Sequence, residues 1–139
     1  LIKSANTTRN TADETVEDPD FTFNCTAGKV YLVEFFPIIS AADATADFKI
    51  AMLSNSDLSG YFRYAVVGYD DVFVHSTVQN LSTLTYIGTK AGGVKVTGYY
   101  RWTFICTANT QFKLGWNSRV SGSNTTMHAG STLWYEEIG

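Results

Sequence analysis

Beyond Gly98 the chain alternates without a break: Tyr100, Trp102, Phe104 and Cys106 fall on one face, and Tyr99, Arg101, Thr103 and Ile105 on the other. Only an extended strand repeats its faces every two residues. The segment Val94 to Cys106, the longest such pattern in the chain, is therefore a β-strand with one side toward a core, and Gly98 marks a bend or bulge within it. No helical period competes anywhere. The run of small residues from Ser40 to Ala46 is too short and uncovered to hold a helix alone and reads as a loop.

The same logic places strands along the rest of the chain. Phe21 to Cys25 alternates and runs into a turn at Ala27-Gly28; Val30 to Phe36 is apolar on both faces, as in a central strand between two packed layers, and Pro37 marks where its pairing weakens. Phe48, Ile50 and Met52 point one way and Asp47, Lys49 and Ala51 the other, before a turn over Ser54 to Gly60. Tyr61 to Val67 is a strand, Gly68 to Asp71 a turn, Val72 to His75 a short strand, and Thr83 to Thr89 a weakly alternating one closed by Ala91 to Gly93. Phe112, Leu114 and Trp116 share a face opposite Lys113 and Gly115, Asn117 to Met127 is a polar loop, and a strand after Gly130 ends the chain. About eight to ten strands with Gly and Asn punctuation predict an all-β antiparallel sandwich or barrel. There is no internal repeat to suggest a propeller or solenoid.

One domain accounts for 139 residues. Residues 1–18 are polar and rich in Thr, Asn, Asp and Glu, a lead-in that is either a disordered linker or one or two edge strands around Leu1–Ser4 and Glu14–Glu17, while residues 19–139 form the β-domain; Asp18-Pro19-Asp20 between them is a turn signal. The chain opens on Leu1 rather than Met, as a fragment or processed product would, and shows no signal peptide and no run long enough for a transmembrane helix. A net charge of −3 without a basic cluster argues against nucleic acid as a partner. Cys25 and Cys106 both sit in apolar strand-like runs, compatible with two buried thiols or with one disulfide.

Chemistry is hard to find. The two histidines, His75 in a strand and His128 in a polar loop, have no nucleophile or orienting acid near them in sequence. Glu17-Asp18 with Asp20, Asp70-Asp71 and Glu136-Glu137 lack metal-ligand spacing, and Gly92-Gly93 lacks the Lys-Ser/Thr of a phosphate loop. Asn-x-Ser/Thr sites at Asn6, Asn24, Asn80 and Asn124 carry no weight in a chain so rich in these residues. The prediction is a non-enzymatic protein with no catalytic residues, cofactor or metal. Aromatics make up 14% of residues, which fits a strand core and leaves some rings for subunit or sugar contacts.

Taken in order, the landmarks KSANTTRN (3–10), EDPDFTF (17–23), AGKVYLVEF (27–35), ADFKIA (46–51), YRWTF (100–104), FKLGW (112–116) and AGSTLWYE (129–136) resemble the C-terminal β-domains of tailed-bacteriophage virion proteins, found in tail fibres, receptor-binding proteins and capsid-attached fibres. The resemblance spans nearly the whole chain except residues 54–92, where a variable recognition surface would lie. It implies a jelly-roll sandwich similar in outline to tumour-necrosis-factor and complement C1q heads, assembled as a homotrimer at the tip of a fibre. The expected location is the virion surface, and the expected partners are other virion proteins and a host-surface receptor, a glycan or a protein. No membrane insertion is implied. Tyr69, Asp70, Asp71, His75, Trp116, Asn117 and Arg119 are the candidate receptor surface. Competing readings are a capsid decoration or fibre-attachment and trimerisation module without receptor binding, a secreted C1q-like binding domain, and, least favoured, a polysaccharide depolymerase.

Overall fold

The computed structural model describes all residues except 13–14, 44–45, 54–55, 68–71, 74–78, 81–84, 88 and 90–91; of residues 62–67, 72–73, 79–80 and 85–87 it describes the backbone alone. Among the described residues there are fourteen strands and no helix: β1 (Thr7–Arg9), β2 (Val16–Cys25), β3 (Val30–Phe36), β4 (Ile38–Ala41), β5 (Phe48–Met52), β6 (Leu58–Val67), β7 (Val72–Phe73), β8 (Gln79–Asn80), β9 (Thr85–Ile87), β10 (Val96–Thr97), β11 (Tyr99–Cys106), β12 (Thr110–Ser118), β13 (Thr125–Met127) and β14 (Thr132–Glu137). The largest sheet runs β14-β3-β11-β6-β7, with β8 also on β6; a second runs β2-β12-β5-β9 and a third β1-β13-β4-β10. Every pairing is antiparallel.

The largest sheet and the β2-β12-β5-β9 sheet face each other in a sandwich-like arrangement, and aromatic rings fill the gap. Tyr100, Trp102, Phe104 and Cys106 of β11 all point inward and are buried, as the alternation requires. Across the gap, Phe21 meets Phe35 edge-on at 4.9 Å, Phe104 stacks on Phe112 at 5.7 Å, and Trp102 meets Phe112 edge-on at 5.8 Å. Each such pair contributes about 0.5–1.5 kcal/mol beyond the burial of its surface. Ile39, Val96 and Met127 of the third sheet belong to the same core.

Pro37 and Gly98 turn one corner together. β3 pairs with β11 in the largest sheet, and beyond them β4 pairs with β10 in the third sheet. The register, Phe35 with Tyr100 and Ile38 with Thr97, sets Pro37 opposite Gly98. Proline has no N–H to give the ladder and glycine has no side chain to obstruct a bend, so both strands leave one sheet for the other at the same point. The Thr97 hydroxyl donates to the Pro37 carbonyl at 2.8 Å and closes the corner.

Several segments differ from the sequence reading. The described residues of 1–18 are part of the fold: the backbone N–H of Lys3 donates to Ser131, Leu1–Ser4 forms only the isolated bridge of Ile2 to Thr132, β1 lies between the two expected edge strands, and β2 begins at Val16 within the expected Glu14–Glu17 stretch. Asp18-Pro19-Asp20 lies within β2 rather than in a turn before it. Ser40 and Ala41 are in β4, β6 begins at Leu58, and the stretch read as the Asn117–Met127 loop contains the end of β12 and all of β13. β5 is buried on both faces, because the Lys49 ammonium reaches the Ala12 carbonyl at 2.8 Å beneath the N-terminal segment. β3 is central in its sheet but covered on one face only.

The N-terminal segment is pinned by a buried ion pair. The Lys3 ammonium lies 2.8 Å from the Asp18 carboxylate and 3.1 Å from Asp20, and the Trp116 indole N–H donates to Asp18 at 2.8 Å. Removing one member of a buried pair strands the other; Asp18→Ala should lower unfolding stability by about 3–5 kcal/mol in urea titrations. The Asp20 carboxyl is held below its ordinary value of 3.8, first by the hydrogen bond from Lys3. A carboxyl depressed in the folded chain stabilises it above the unfolded value and stops doing so as pH falls through the folded one. Urea midpoints of wild type and Asp20→Asn should therefore differ at neutral pH and converge as pH drops below 3.8. Gly60 sits so tightly against β11 that an added Cβ would lie 2.1 Å from the Thr103 carbonyl oxygen and 2.6 Å from the Phe104 Cα. Gly60→Ala should cost about 2–3 kcal/mol in the same titration.

Candidate functional site

Among the described residues, the outward face of the largest sheet is the most distinctive surface. The pairing registers align its outward residues: Thr132, Trp134 and Glu136 of β14; Val30, Leu32, Glu34 and Phe36 of β3; Tyr99, Arg101, Thr103 and Ile105 of β11; and Ser59 and Tyr61 of β6. These are the residues that gave β3 its two apolar faces and made the end of the chain rich in aromatics. Four of them, Phe36 at 43% exposure, Ile105 at 41%, Trp134 at 45% and Tyr61 at 64%, present large apolar groups to solvent.

Polar groups are interspersed on this face: Glu34, Arg101 and Glu136 are charged, and Thr132, Thr103 and Ser59 carry hydroxyls. The Phe36 and Tyr99 rings pack 5.2 Å apart, and the Tyr99 hydroxyl donates to the Glu34 carboxylate. Burial, and then that hydrogen bond to Glu34, push the Tyr99 phenol above its ordinary value, so it stays a neutral donor. Trp134 is opposite Glu34 in register, and Arg101 follows on the other side. At one end, Lys29 pairs with Glu137 at 2.7 Å.

The receptor surface expected from sequence is not assembled as a unit. Tyr69, Asp70, Asp71 and His75 lie outside the described residues. Trp116 and Asn117 are buried, which corrects their reading as surface groups. The Trp116 ring is packed 5.6 Å from Phe48, and the Arg9 guanidinium covers it at 4.2 Å. Arg9 also donates to the carbonyls of Val16, Glu17 and Trp116, and its burial pulls its pKa down. Asn117 donates to the Thr11 hydroxyl at 2.8 Å and accepts from the Ser118 N–H at 2.9 Å. Arg119 is on the surface, ion-paired to Asp47 at 2.8 Å.

One contact has a catalytic look that its surroundings do not support. His128, expected to be exposed, is half-buried, and its Nε2 lies 2.8 Å from the Ser40 hydroxyl. A nucleophile–base pair needs an acid to orient and stabilise the imidazolium. Here burial, and then the charge of Lys95, lower the His128 pKa, so the charged group felt by the ring is a cation. Ser40 is itself buried, and the pair joins β4 to the chain after β13. Among the described residues no cluster of His, Cys, Asp or Glu is arranged to hold a metal ion, and there is no helix long and apolar enough to cross a membrane.

The sheet face was partly visible in sequence, through the apolar Val30–Phe36 run and the terminal aromatics. Its membership depends on which strands become neighbours, and that is set by pairing between segments far apart in the chain. No family model matches this sequence, and no curated protein matches it either.

Proposed function

We propose that this chain is the trimeric jelly-roll head of a bacteriophage fibre, a non-enzymatic virion domain that engages a receptor on the host surface. The observation that carries this reading is the outward face of the largest sheet, where Phe36, Ile105, Trp134 and Tyr61 are exposed on the same side of four neighbouring strands, with Glu34 and Arg101 between them. Closed rotational symmetry brings the same face of every copy to a common axis, and the cores of such interfaces favour aromatic residues over charges. The strand order supports the jelly-roll part: β14 lies beside β3 and β2 beside β12, so neighbours in each sheet come from opposite parts of the chain, as interlocked Greek keys require. A trimer would present three receptor sites at once and multiply weak single contacts. Of the sequence candidates, Tyr69, Asp70, Asp71, His75 and Arg119 are those proposed to face the receptor.

Mass photometry or sedimentation equilibrium tests the assembly. The wild-type chain should be a trimer at micromolar concentration, and Phe36→Glu or Trp134→Glu should give a folded monomer by circular dichroism. A wild-type monomer overturns the reading. The purified trimer should also compete with phage for adsorption to host cells, and Tyr69→Ala with Arg119→Ala should weaken competition at least about tenfold, roughly 1.4 kcal/mol, without dissociating the trimer. A trimer that does not compete removes the receptor role and leaves a decoration or attachment module.

A further inference from the structure

The two cysteines, 81 positions apart in sequence, meet at one end of the core. Cys25 is the last residue of β2 and Cys106 the last of β11, strands that belong to the two facing sheets. Two residues earlier on each strand, Phe23 and Phe104 both stack on Phe112, at 5.0 and 5.7 Å. The next inward position on each strand is the cysteine, so the pair closes the aromatic core at this end. The turn after Cys25 holds the arrangement: Gly28 N–H donates to the Cys106 carbonyl at 2.7 Å, and Cys106 N–H donates to the Lys29 carbonyl at 2.9 Å. Both side chains are buried and unbridged, and they lie close enough for each to shift the other's pKa.

We propose that Cys25 and Cys106 are a disulfide-forming pair that locks the two sheets together when the chain matures in an oxidising medium. The oxidant is a low-molecular-weight disulfide such as oxidised glutathione. One thiolate attacks it and expels one small thiol, leaving a mixed disulfide on the protein. The second cysteine sulfur then attacks the protein-side sulfur and expels the other small thiol. Two protein S–H bonds and one small S–S bond are lost, one protein S–S bond forms, and both protons leave on the departing thiols. Burial pushes the Cys25 thiol up to about 12 and raises Cys106 as well. Only the thiolate attacks, so the folded reduced chain reacts slowly and the bond forms as the sheets close.

The test is refolding of the full chain from denaturant in a buffer of oxidised and reduced glutathione, followed by intact-mass measurement and maleimide labelling under denaturing conditions. The expected product has lost the mass of two hydrogens, takes up no maleimide, and yields a peptide joining Cys25 to Cys106. It should melt on the order of 10 °C above the same chain reduced with a strong dithiol, because the bond closes a long loop in the unfolded state. Comparing oxidised with reduced wild type needs no variant; Cys25→Ala and Cys106→Ala, refolded alike, should show no shift. Two free thiols after refolding, glutathione adducts alone, or disulfides only between chains would overturn the proposal.

Discussion

The Asp18 carboxylate is the point on which the arrangement of the chain turns. It is fully buried, and it accepts from the Lys3 ammonium, the Trp116 indole and the Asp20 backbone N–H. Lys3 is carried on a segment whose backbone bonds to Gly130 and Ser131, just before β14. One carboxylate therefore ties the N-terminal segment, β2, β12 and the start of the closing strand together. A buried ion pair adds little net stability compared with apolar packing, while a broken one is costly. Its effect is to discriminate against any arrangement that leaves Lys3 elsewhere.

The same carboxylate accounts for a proline inside a strand. Against β12, β2 slips: Thr22 pairs with Lys113 and Glu17 with Gly115, so the four residues from Asp18 to Phe21 stand opposite Leu114 alone. Pro19 falls in this bulge, where no ladder N–H is required of it, and the bulge aims Asp18 inward at Trp116. The Asp-Pro-Asp signal does deflect the chain, but pairing on both sides absorbs the deflection into one long strand.

What could be read in advance follows from this. Strands whose side chains build the core were legible: burial alternates along β11, and the apolar residues of β5 and β12 recur every second position although both of those strands are also covered on their polar side. Thr7–Arg9 and Thr125–Met127 were not: they pair largely through backbone and a hydroxyl contact between Thr8 and Thr126, and polar strands of three residues leave no hydrophobic pattern. Trp116 shares a strand face with Phe112 and Leu114 in the sequence pattern and was also a candidate for the receptor surface. The groups that bury it, Arg9 and Asp18, come from the other end of the chain. The two cysteines were identifiable as members of apolar strands, but their meeting depends on which sheets face each other.

The outward face of the largest sheet carries charges that purely apolar packing would not contain. Glu34 lies in the middle of it, and taking a bare carboxylate out of water into an interface is expensive. Tyr99 already donates to that carboxylate within the chain, and Arg101 is the next outward residue on β11. The remaining acceptor capacity of Glu34 is what a second copy would have to satisfy, and under rotational symmetry each copy offers the others the same Arg101. Apolar rings supply area, whereas a carboxylate that can be buried only in one geometry supplies register. In the proposed assembly, Glu34 would act between chains as Asp18 acts within one: it adds little to stability and penalises every other alignment.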